Sequence, residues 1–160
     1  MKKIKCFIVG DEGVGKASLF NAFTISGSLP DPPFVFDNAI YNMIYENTPI
    51  SIEFWNAYTK EYMDFWISSQ FPQTDIFLVC FSVVDEQSLE NVSKIWEPKI
   101  RQYSSNPFLI LIGCKCDLKN KYFQNDPKII EEGLKLIPTS KCFEMKETIN
   151  AHDYIECSAY

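Results

Sequence analysis

The sequence predicts an α/β fold, with a mainly parallel six-stranded sheet, one antiparallel hairpin at its edge and helices on both faces. Two observations lead to this fold class. The apolar runs at 76–81 and 108–113 are continuous, which is typical of strands buried on both faces of a parallel sheet. Segments with apolar residues at helical spacing lie between the predicted strands, and such alternation favours parallel pairing.

The first part of the chain predicts a strand, a helix and a hairpin. Residues 4–9 are mostly apolar and end at Gly10, while Leu19, Phe20 and Phe23 have helical spacing. The hairpin strands alternate in the way that side chains on opposite faces of a sheet require. The expected elements are a strand at 4–9, a helix at 15–23, an extended proline-rich loop at 27–33, and strands at 38–46 and 50–54 around a turn at 46–49.

The rest of the chain alternates helices and strands. A long helix at 86–103 carries an apolar stripe, and Pro98 inside it should kink or shorten the helix. Asp126 and Pro127 have the pattern of an N-cap followed by proline at the first helical position. The stripe consists of Leu89, Val92, Trp96 and Ile100. The expected elements are strands at 76–81, 108–113 and 154–157, and helices at 86–103, from 126 to about 136, and from a cap at Thr139 or Ser140 to 149.

The composition is that of one soluble globular domain, spanning 1–160. Hydrophobic residues make up 46% of the chain and charged residues 22%, and no run approaches the roughly 20 apolar residues of a transmembrane helix. The net charge of −6 argues against nucleic acid and anionic membranes as partners. The six cysteines lie mostly in apolar segments, which predicts reduced, buried thiols in a cytoplasmic protein, and Cys114 and Cys116 lack the spacing of metal ligands.

A glycine-rich loop follows the first predicted strand and opens the first helix. Residues 10–16 match G-x-x-x-x-G-K, the core of the phosphate-binding loop, whose backbone N–H groups and helix N-terminus bind phosphates. Lys16 would reach the outer phosphates. A Ser or Thr hydroxyl that binds Mg²⁺ normally follows, but here the residue is Ala17, and Ser18 is turned away by about 100°. The expected nucleotide contacts are Gly10, Glu12, Gly13, Val14, Gly15, Lys16, Ala17 and Ser18.

A second polar segment follows the strand at 108–113. Asp117 can accept hydrogen bonds from both the ring N–H and the exocyclic amine of guanine, a donor pair that adenine lacks. Lys115 can lie along the base, and Leu118 follows in the same segment. After the last strand, Ser158 and Ala159 complete a base pocket through backbone N–H groups. Together with the phosphate loop, these residues predict a site for GTP or GDP.

With these segments in place, the whole chain resembles the Ras superfamily of small GTPases, and specifically its Rho family. The similar segments are Val35-Phe36-Asp37-Asn38, Phe81-Ser82-Val83-Val84, Ser88-Leu89-Glu90-Asn91-Val92, Trp96-Glu97-Pro98 and Ile155-Glu156-Cys157-Ser158-Ala159. The resemblance implies a P-loop small-GTPase fold, a Rho-type insert at about 119–138, and a role in signal transduction and cytoskeleton regulation. It also implies protein effectors or regulators that bind the first switch, at Phe34, Val35, Phe36, Asp37 and Asn38.

The chain departs from the Rho pattern where that family binds Mg²⁺ and the terminal phosphate. The second glycine of the family's loop is Glu12, and the switch threonine that ligates Mg²⁺ falls on Phe34. The family's Asp-x-x-Gly-Gln segment has Asn56 at the acid, Thr59 at the glycine and Lys60 at the water-orienting glutamine. Because hydrolysis depends on positioning and charge around the metal, we expect negligible GTP hydrolysis and weak or absent Mg²⁺ binding.

Two functions therefore stay open. The chain is either a Rho-like guanine-nucleotide-binding signalling protein with weak or absent hydrolysis, or a pseudo-GTPase scaffold that binds effectors or regulators without nucleotide. A P-loop kinase is a weaker alternative, since no lid or acceptor-binding segment is recognisable. The family continues with a final helix and a prenylated tail, whereas this sequence stops at Tyr160, either because the protein lacks these parts or because the sequence is a fragment or a truncated gene model. In the first case the protein would carry no lipid anchor, and one sheet face would be partly uncovered.

Overall fold

The computed structural model describes residues 1–24, 36–57 and 63–159, and it contains the six-stranded sheet that the sequence predicts. The strands are β1 (Lys2–Gly10), β2 (Phe36–Tyr45), β3 (Thr48–Ala57), β4 (Ile76–Ser82), β5 (Phe108–Cys114) and β6 (Asp153–Glu156). They lie in the order β2-β3-β1-β4-β5-β6, with β2 antiparallel to β3 and the other neighbouring pairs parallel. The predicted fold class is therefore confirmed, including its antiparallel edge.

The helices are α1 (Lys16–Thr24), α2 (Met63–Gln70), α3 (Glu86–Asn91), α4 (Glu97–Tyr103), α5 (Asp117–Phe123), α6 (Pro127–Glu131) and α7 (Thr139–Thr148). The predicted loop at 27–33 lies outside the described residues. In the described part of the chain, no helix has both the length and the apolar character needed to cross a bilayer.

The hairpin between β2 and β3 is tighter than predicted. Its turn consists of Glu46 and Asn47, with φ of 46° and 62°, and Tyr45 already pairs with Thr48. Positive φ at both central residues is the type I′ geometry, whose twist matches that of the adjoining strands. The predicted turn at 46–49 is therefore too long, because Thr48 and Pro49 belong to β3.

The predicted helix at 86–103 is continuous but changes its winding. Between α3 and α4 lies a π-helical segment, Val92–Trp96, in which the N–H of Glu97 donates to the carbonyl of Val92. Pro98 follows directly and has no N–H for the usual bond to the carbonyl four residues earlier. Pro98 thus accompanies a wider turn and does not end the helix. The predicted apolar stripe of this helix is buried, as expected.

The start of α6 is confirmed, whereas its end and the start of α7 differ from the prediction. The side chain of Asp126 accepts a hydrogen bond from the backbone N–H of Lys128, which is a true N-cap. The helix stops before 136 because Gly133 adopts a φ of +62°. Neither Thr139 nor Ser140 caps α7, since the extended Pro138 occupies the N-cap position and both residues lie inside the first turn.

Strand alternation divides the core into two layers. On one face of the sheet, Phe7 and Val9 of β1 pack with the buried stripe of the long helix. On the other face, Cys6 and Ile8 pack with Leu19 of α1. Several apolar residues on this second face are only partly buried: Ile4, Ile52, Ile76, Leu78 and Ile110.

The six cysteines are free thiols, and four of them are buried, as their apolar positions predict.

Candidate nucleotide site

Most of the predicted phosphate and base residues line one cavity of about 420 Å³ at the carboxyl ends of β1 and β5, whereas Gly10, Val14, Leu118 and Ser158 are not part of its lining. Its lining consists of Glu12, Gly13, Gly15, Lys16, Ala17, Ser18, Leu19, Cys114, Lys115, Asp117, Cys157 and Ala159. The carboxyl ends of parallel strands meet along one edge of a sheet, which is where α/β folds of this type bind ligands. The fold therefore brings together three separate sequence segments, at 12–19, 114–117 and 157–159.

Backbone geometry requires glycine at two positions of the phosphate loop. Gly10 has a φ of +143°, and a Cβ there would lie 2.2 Å from the carbonyl oxygen of Cys80 in β4. Gly15 has a φ of +116° and directly precedes α1, where its carbonyl accepts a hydrogen bond from Leu19. Val14 is buried beneath the loop and anchors it to the core. These constraints explain why the loop can wind closely around a small concave site.

Lys16 is held inside the loop. Its Nζ donates to the carbonyl oxygens of Gly10 at 2.7 Å and Asp11 at 2.6 Å. Burial lowers the pKa of Lys16, although the nearby acidic side chains of Asp11 and Glu12 favour the charged form. A phosphate group would provide the full negative charge that the two carbonyl dipoles provide only in part.

The base end of the cavity is joined by hydrogen bonds within the protein. The hydroxyl of Ser158 donates to Oδ1 of Asp117 at 2.7 Å. The backbone N–H of Cys116 donates to the carbonyl of Cys157 at 3.1 Å, and the N–H of Cys157 donates to Gly113. The segments after β5 and after β6 are therefore fastened together beside Asp117. Leu118 is partly buried in the first turn of α5.

An ion pair continues this network behind the base end. Nζ of Lys119 in α5 pairs with Glu156 in β6, and the hydroxyl of Tyr154 donates to the same carboxylate at 2.5 Å. Burial disfavours the carboxylate form of Glu156, but the hydrogen bonds from Lys119 and Tyr154 outweigh it and keep its pKa below the usual range. The carboxylate thus stays ionised and ties α5 to the sheet.

Cys114 and Cys157 line the cavity, and Cys80 lies next to Cys114. The hydrogen bond with Cys114, together with burial, raises the pKa of Cys157. At Cys114 the hydrogen bond with Cys157 favours the thiolate, but the bond with Cys80 and burial prevail, so that its pKa is also raised. The thiols of Cys114 and Cys157 therefore stay protonated at neutral pH and act as small packing groups.

The opposite end of the cavity, where the family motif would hold Mg²⁺, carries different chemistry. Ala17 contributes only a methyl group to the lining. Asn56 does not line the cavity; it pairs with Ile8 of β1 in the sheet and is 1% exposed. Within the part of the chain that the structure describes, neither its Oδ1 nor its Nδ2 has a hydrogen-bond partner. Mg²⁺ prefers oxygen ligands, carboxylates above all, and these two side chains offer one neutral amide oxygen between them. The donor set at these two positions does not fit the family's Mg²⁺ site.

Several predicted switch residues cannot be related to the cavity. Phe34, Val35, Thr59 and Lys60 lie outside the described residues. The others begin β2: by strand register Phe36 lies opposite Ala57, Asp37 opposite Asn56 and Asn38 opposite Trp55. The start of β2 therefore pairs with the end of β3 that carries Asn56.

Sequence reasoning missed a contact between the phosphate loop and the long helix. The carboxylate of Asp11 accepts hydrogen bonds from Nε1 of Trp96 and Nδ2 of Asn91. Asp11 occupies a variable position of the loop motif, so no pattern marked it. The one available signal was Trp96 itself, because a buried indole N–H normally requires an acceptor.

The fold and the loop are those of the P-loop class of α/β proteins. A sequence profile of the Ras family matches residues 5–160, so this chain belongs to the Ras family. The Rho-related GTP-binding protein RhoV of Bos taurus is 34% identical over 160 residues. The match covers 98% of this chain but 66% of RhoV, slightly less than two thirds of that protein's length. The predicted resemblance to Rho-family small GTPases is confirmed.

Proposed function

We propose that this chain binds a guanine nucleotide in the cavity between the phosphate loop and Asp117, and hydrolyses GTP negligibly. The observation that carries the proposal is that Lys16 and Asp117 line the same cavity. An ammonium group at one end suits phosphate, and a carboxylate at the other suits the two N–H donors of guanine. Gly10, Val14, Leu118 and Ser158 support this arrangement from behind the lining.

Negligible hydrolysis follows from the residues at the positions where the family binds Mg²⁺ and the terminal phosphate. Ala17 and Asn56 replace groups on which the family relies to hold the metal, and the exposed carboxylate of Glu12 adds negative charge to the cavity. By sequence, Thr59 and Lys60 replace the residues that contact the terminal phosphate and orient water. Loss of a single stabilising group costs about 10²- to 10³-fold in rate. Nucleotide binding in this proposal depends little on Mg²⁺.

The wider role follows from the family. The chain would act as a single domain, 1–160, in cytoplasmic signalling that regulates the cytoskeleton, with α5 and α6 forming the Rho-type insert at 119–138. Effectors or regulators would bind around the start of β2, where Asn38 is exposed.

A second candidate is a scaffold that works without nucleotide. The observation that favours it is the pair of carbonyl partners of Lys16, which satisfy the ammonium group without any ligand. The nucleotide content of purified, freshly denatured protein separates the two functions, with EDTA present in a parallel purification. Near-stoichiometric GDP or GTP that survives EDTA supports the proposal, whereas a folded but empty protein favours the scaffold.

Restoring the missing groups tests the interpretation of the family's Mg²⁺ positions. The triple variant Ala17→Thr, Phe34→Thr and Asn56→Asp should raise GDP affinity in Mg²⁺ by about tenfold or more, which is a gain of at least 1.4 kcal/mol. The matched control replaces Ala17→Thr with Ala17→Val, which has the shape of threonine but no hydroxyl. Equal affinity of both triple variants, with or without Mg²⁺, would contradict our reading of these positions.

A further inference from the structure

Asp11 lies within the phosphate loop, yet its carboxylate is occupied by a neighbouring helix. Oδ1 accepts a hydrogen bond from Nε1 of Trp96 at 2.8 Å, and Oδ2 accepts one from Nδ2 of Asn91 at 2.6 Å. Both oxygens thus have donors on the long helix, and Asp11 is not among the residues that line the cavity. We call this group of Asp11, Asn91 and Trp96 the clasp.

The π-helical segment places the two donors side by side. Asn91 directly precedes the segment and Trp96 ends it, so the two residues are five positions apart. In an α-helix, residues five apart point about 140° away from each other. A π turn, whose hydrogen bond joins residues five apart, brings them to the same side of the helix. The unusual winding is therefore what lets one carboxylate accept from both.

The orientation of each donor is fixed by its surroundings. Trp96 is 6% exposed and packs in the core, which holds its ring in place. Oδ1 of Asn91 accepts a hydrogen bond from Nε2 of Gln87 at 3.0 Å, so the Nδ2 side of the amide must face Asp11. The helix thus presents two preset donors to the loop.

Through its backbone, Asp11 is also hydrogen-bonded to Lys16. The backbone carbonyl of Asp11 accepts from Nζ of Lys16, as does the carbonyl of Gly10. One residue therefore joins the phosphate-binding lysine to the rigid helix. We propose that Asp11 is a positioning residue: its clasp with Asn91 and Trp96 holds the phosphate loop in the shape that receives phosphate. This inference rests on the proposed nucleotide function.

A reciprocal swap tests the clasp. In Asp11→Asn, one amide oxygen still accepts from Trp96, but the new NH₂ group faces the NH₂ group of Asn91. GDP affinity should fall about tenfold, and amide hydrogens of residues 11–16 should exchange faster by a similar factor. Adding Asn91→Asp restores acceptors toward the new NH₂ group and toward Gln87. The double variant should return to within about threefold of the wild-type values.

Two further variants separate positioning from general stability. Trp96→Phe keeps an aromatic ring in the core but removes the N–H, and it should resemble Asp11→Asn in both measurements. Lys94→Gln removes a solvent-exposed ion pair with Glu90 on the same helix, and it should match wild type.

The inference is overturned if the double variant is no better than Asp11→Asn, or if neither Asp11→Asn nor Trp96→Phe changes GDP affinity or exchange. If wild-type protein binds no GDP, the proposed function fails, while the exchange rates of the ligand-free loop still decide whether the clasp exists.

Discussion

The base end of the cavity and the part of β3 that carries Asn56 differ in how their polar groups are satisfied. At the base end, Asp117 already holds a hydrogen bond from Ser158, and the ion pair of Lys119 and Glu156 braces the segment behind it. In β3, by contrast, the buried amide of Asn56 has no hydrogen-bond partner among the described residues for its oxygen or its nitrogen. The base end thus has its hydrogen bonds before any ligand binds, whereas Asn56 is a buried polar group without compensation.

This difference shows which part of a binding site folding alone can maintain. Hydrogen bonds within the protein stabilise the base end whether or not a ligand is present. An unsatisfied buried polar group costs about 1–3 kcal/mol, so Asn56 lowers stability in the ligand-free protein. Nucleotide affinity in this chain should therefore come from the base end and the phosphate loop.

The largest expected effect tests the base end. Asp117→Asn should weaken GDP binding by about 100-fold, because the carboxylate accepts two hydrogen bonds from guanine. Inosine diphosphate, which lacks the exocyclic amine, should bind the wild type more weakly than GDP, and the variant should no longer distinguish the two nucleotides. Ser158→Ala should weaken GDP binding only a few-fold, because it removes a hydrogen bond that supports Asp117 and leaves the contact between Asp117 and guanine in place. Calorimetric titration measures all three, and unchanged GDP affinity in Asp117→Asn would refute the base-end assignment.

A change of intermediate size tests the part of β3 that carries Asn56. Asn56→Leu replaces the orphaned amide with an apolar group of similar volume and should raise the free energy of unfolding by about 1–2 kcal/mol. GDP affinity should stay the same. Asn42→Leu, at an exposed asparagine of β2, is the control and should give no such gain. Urea unfolding measures both, and destabilisation by Asn56→Leu would mean that the amide stabilises the folded protein after all.

The smallest expected effect concerns Lys16, at the phosphate-loop end of the cavity. Burial lowers its pKa, so in the ligand-free protein the ammonium group loses its proton at a lower pH than an exposed lysine does. Phosphate favours the ammonium form, so binding of GDP should take up a fraction of a proton, and affinity should fall as pH rises through the lowered pKa. Calorimetry near pH 9 in two buffers of different ionisation enthalpy measures this uptake. Lys16→Arg, which does not titrate in this range, should abolish it.

The parts of the molecule that were predictable from sequence depend on local rules. The buried strands, the Asp126 cap and the loop with its two constrained glycines follow from periodicity and backbone chemistry within short windows. The N-cap of α7 was missed because Thr139 and Ser140 are good capping residues that Pro138 displaces. In the site, the sequence alone showed that Ala17 lacks the hydroxyl that normally binds Mg²⁺, because this depends only on residue type.

Other features depend on tertiary packing. The sequence indicated that Asn56 replaces an acid, but only the fold shows that its amide is buried without a partner. The acceptor for Trp96 lies 85 residues away in the chain, at a motif position that any residue can fill. No periodicity or local propensity can report a contact of that kind, because it exists only after the helix and the loop have packed together.

The π-helical segment also affects how this chain tolerates changes in length. A π turn holds one more residue than an α turn, while the helices on either side keep the same phase. Deleting one exposed residue there, Lys94 or Ile95, should therefore keep Trp96 and Ile100 facing the core, although Pro98 would still lack the N–H for a helical hydrogen bond. Asn91 and Trp96 would then be four positions apart, still on one side of the helix. The π-helical segment thus contains one residue more than an α turn needs. Losing that residue should leave the core contacts of the helix and its contact with the phosphate loop in place.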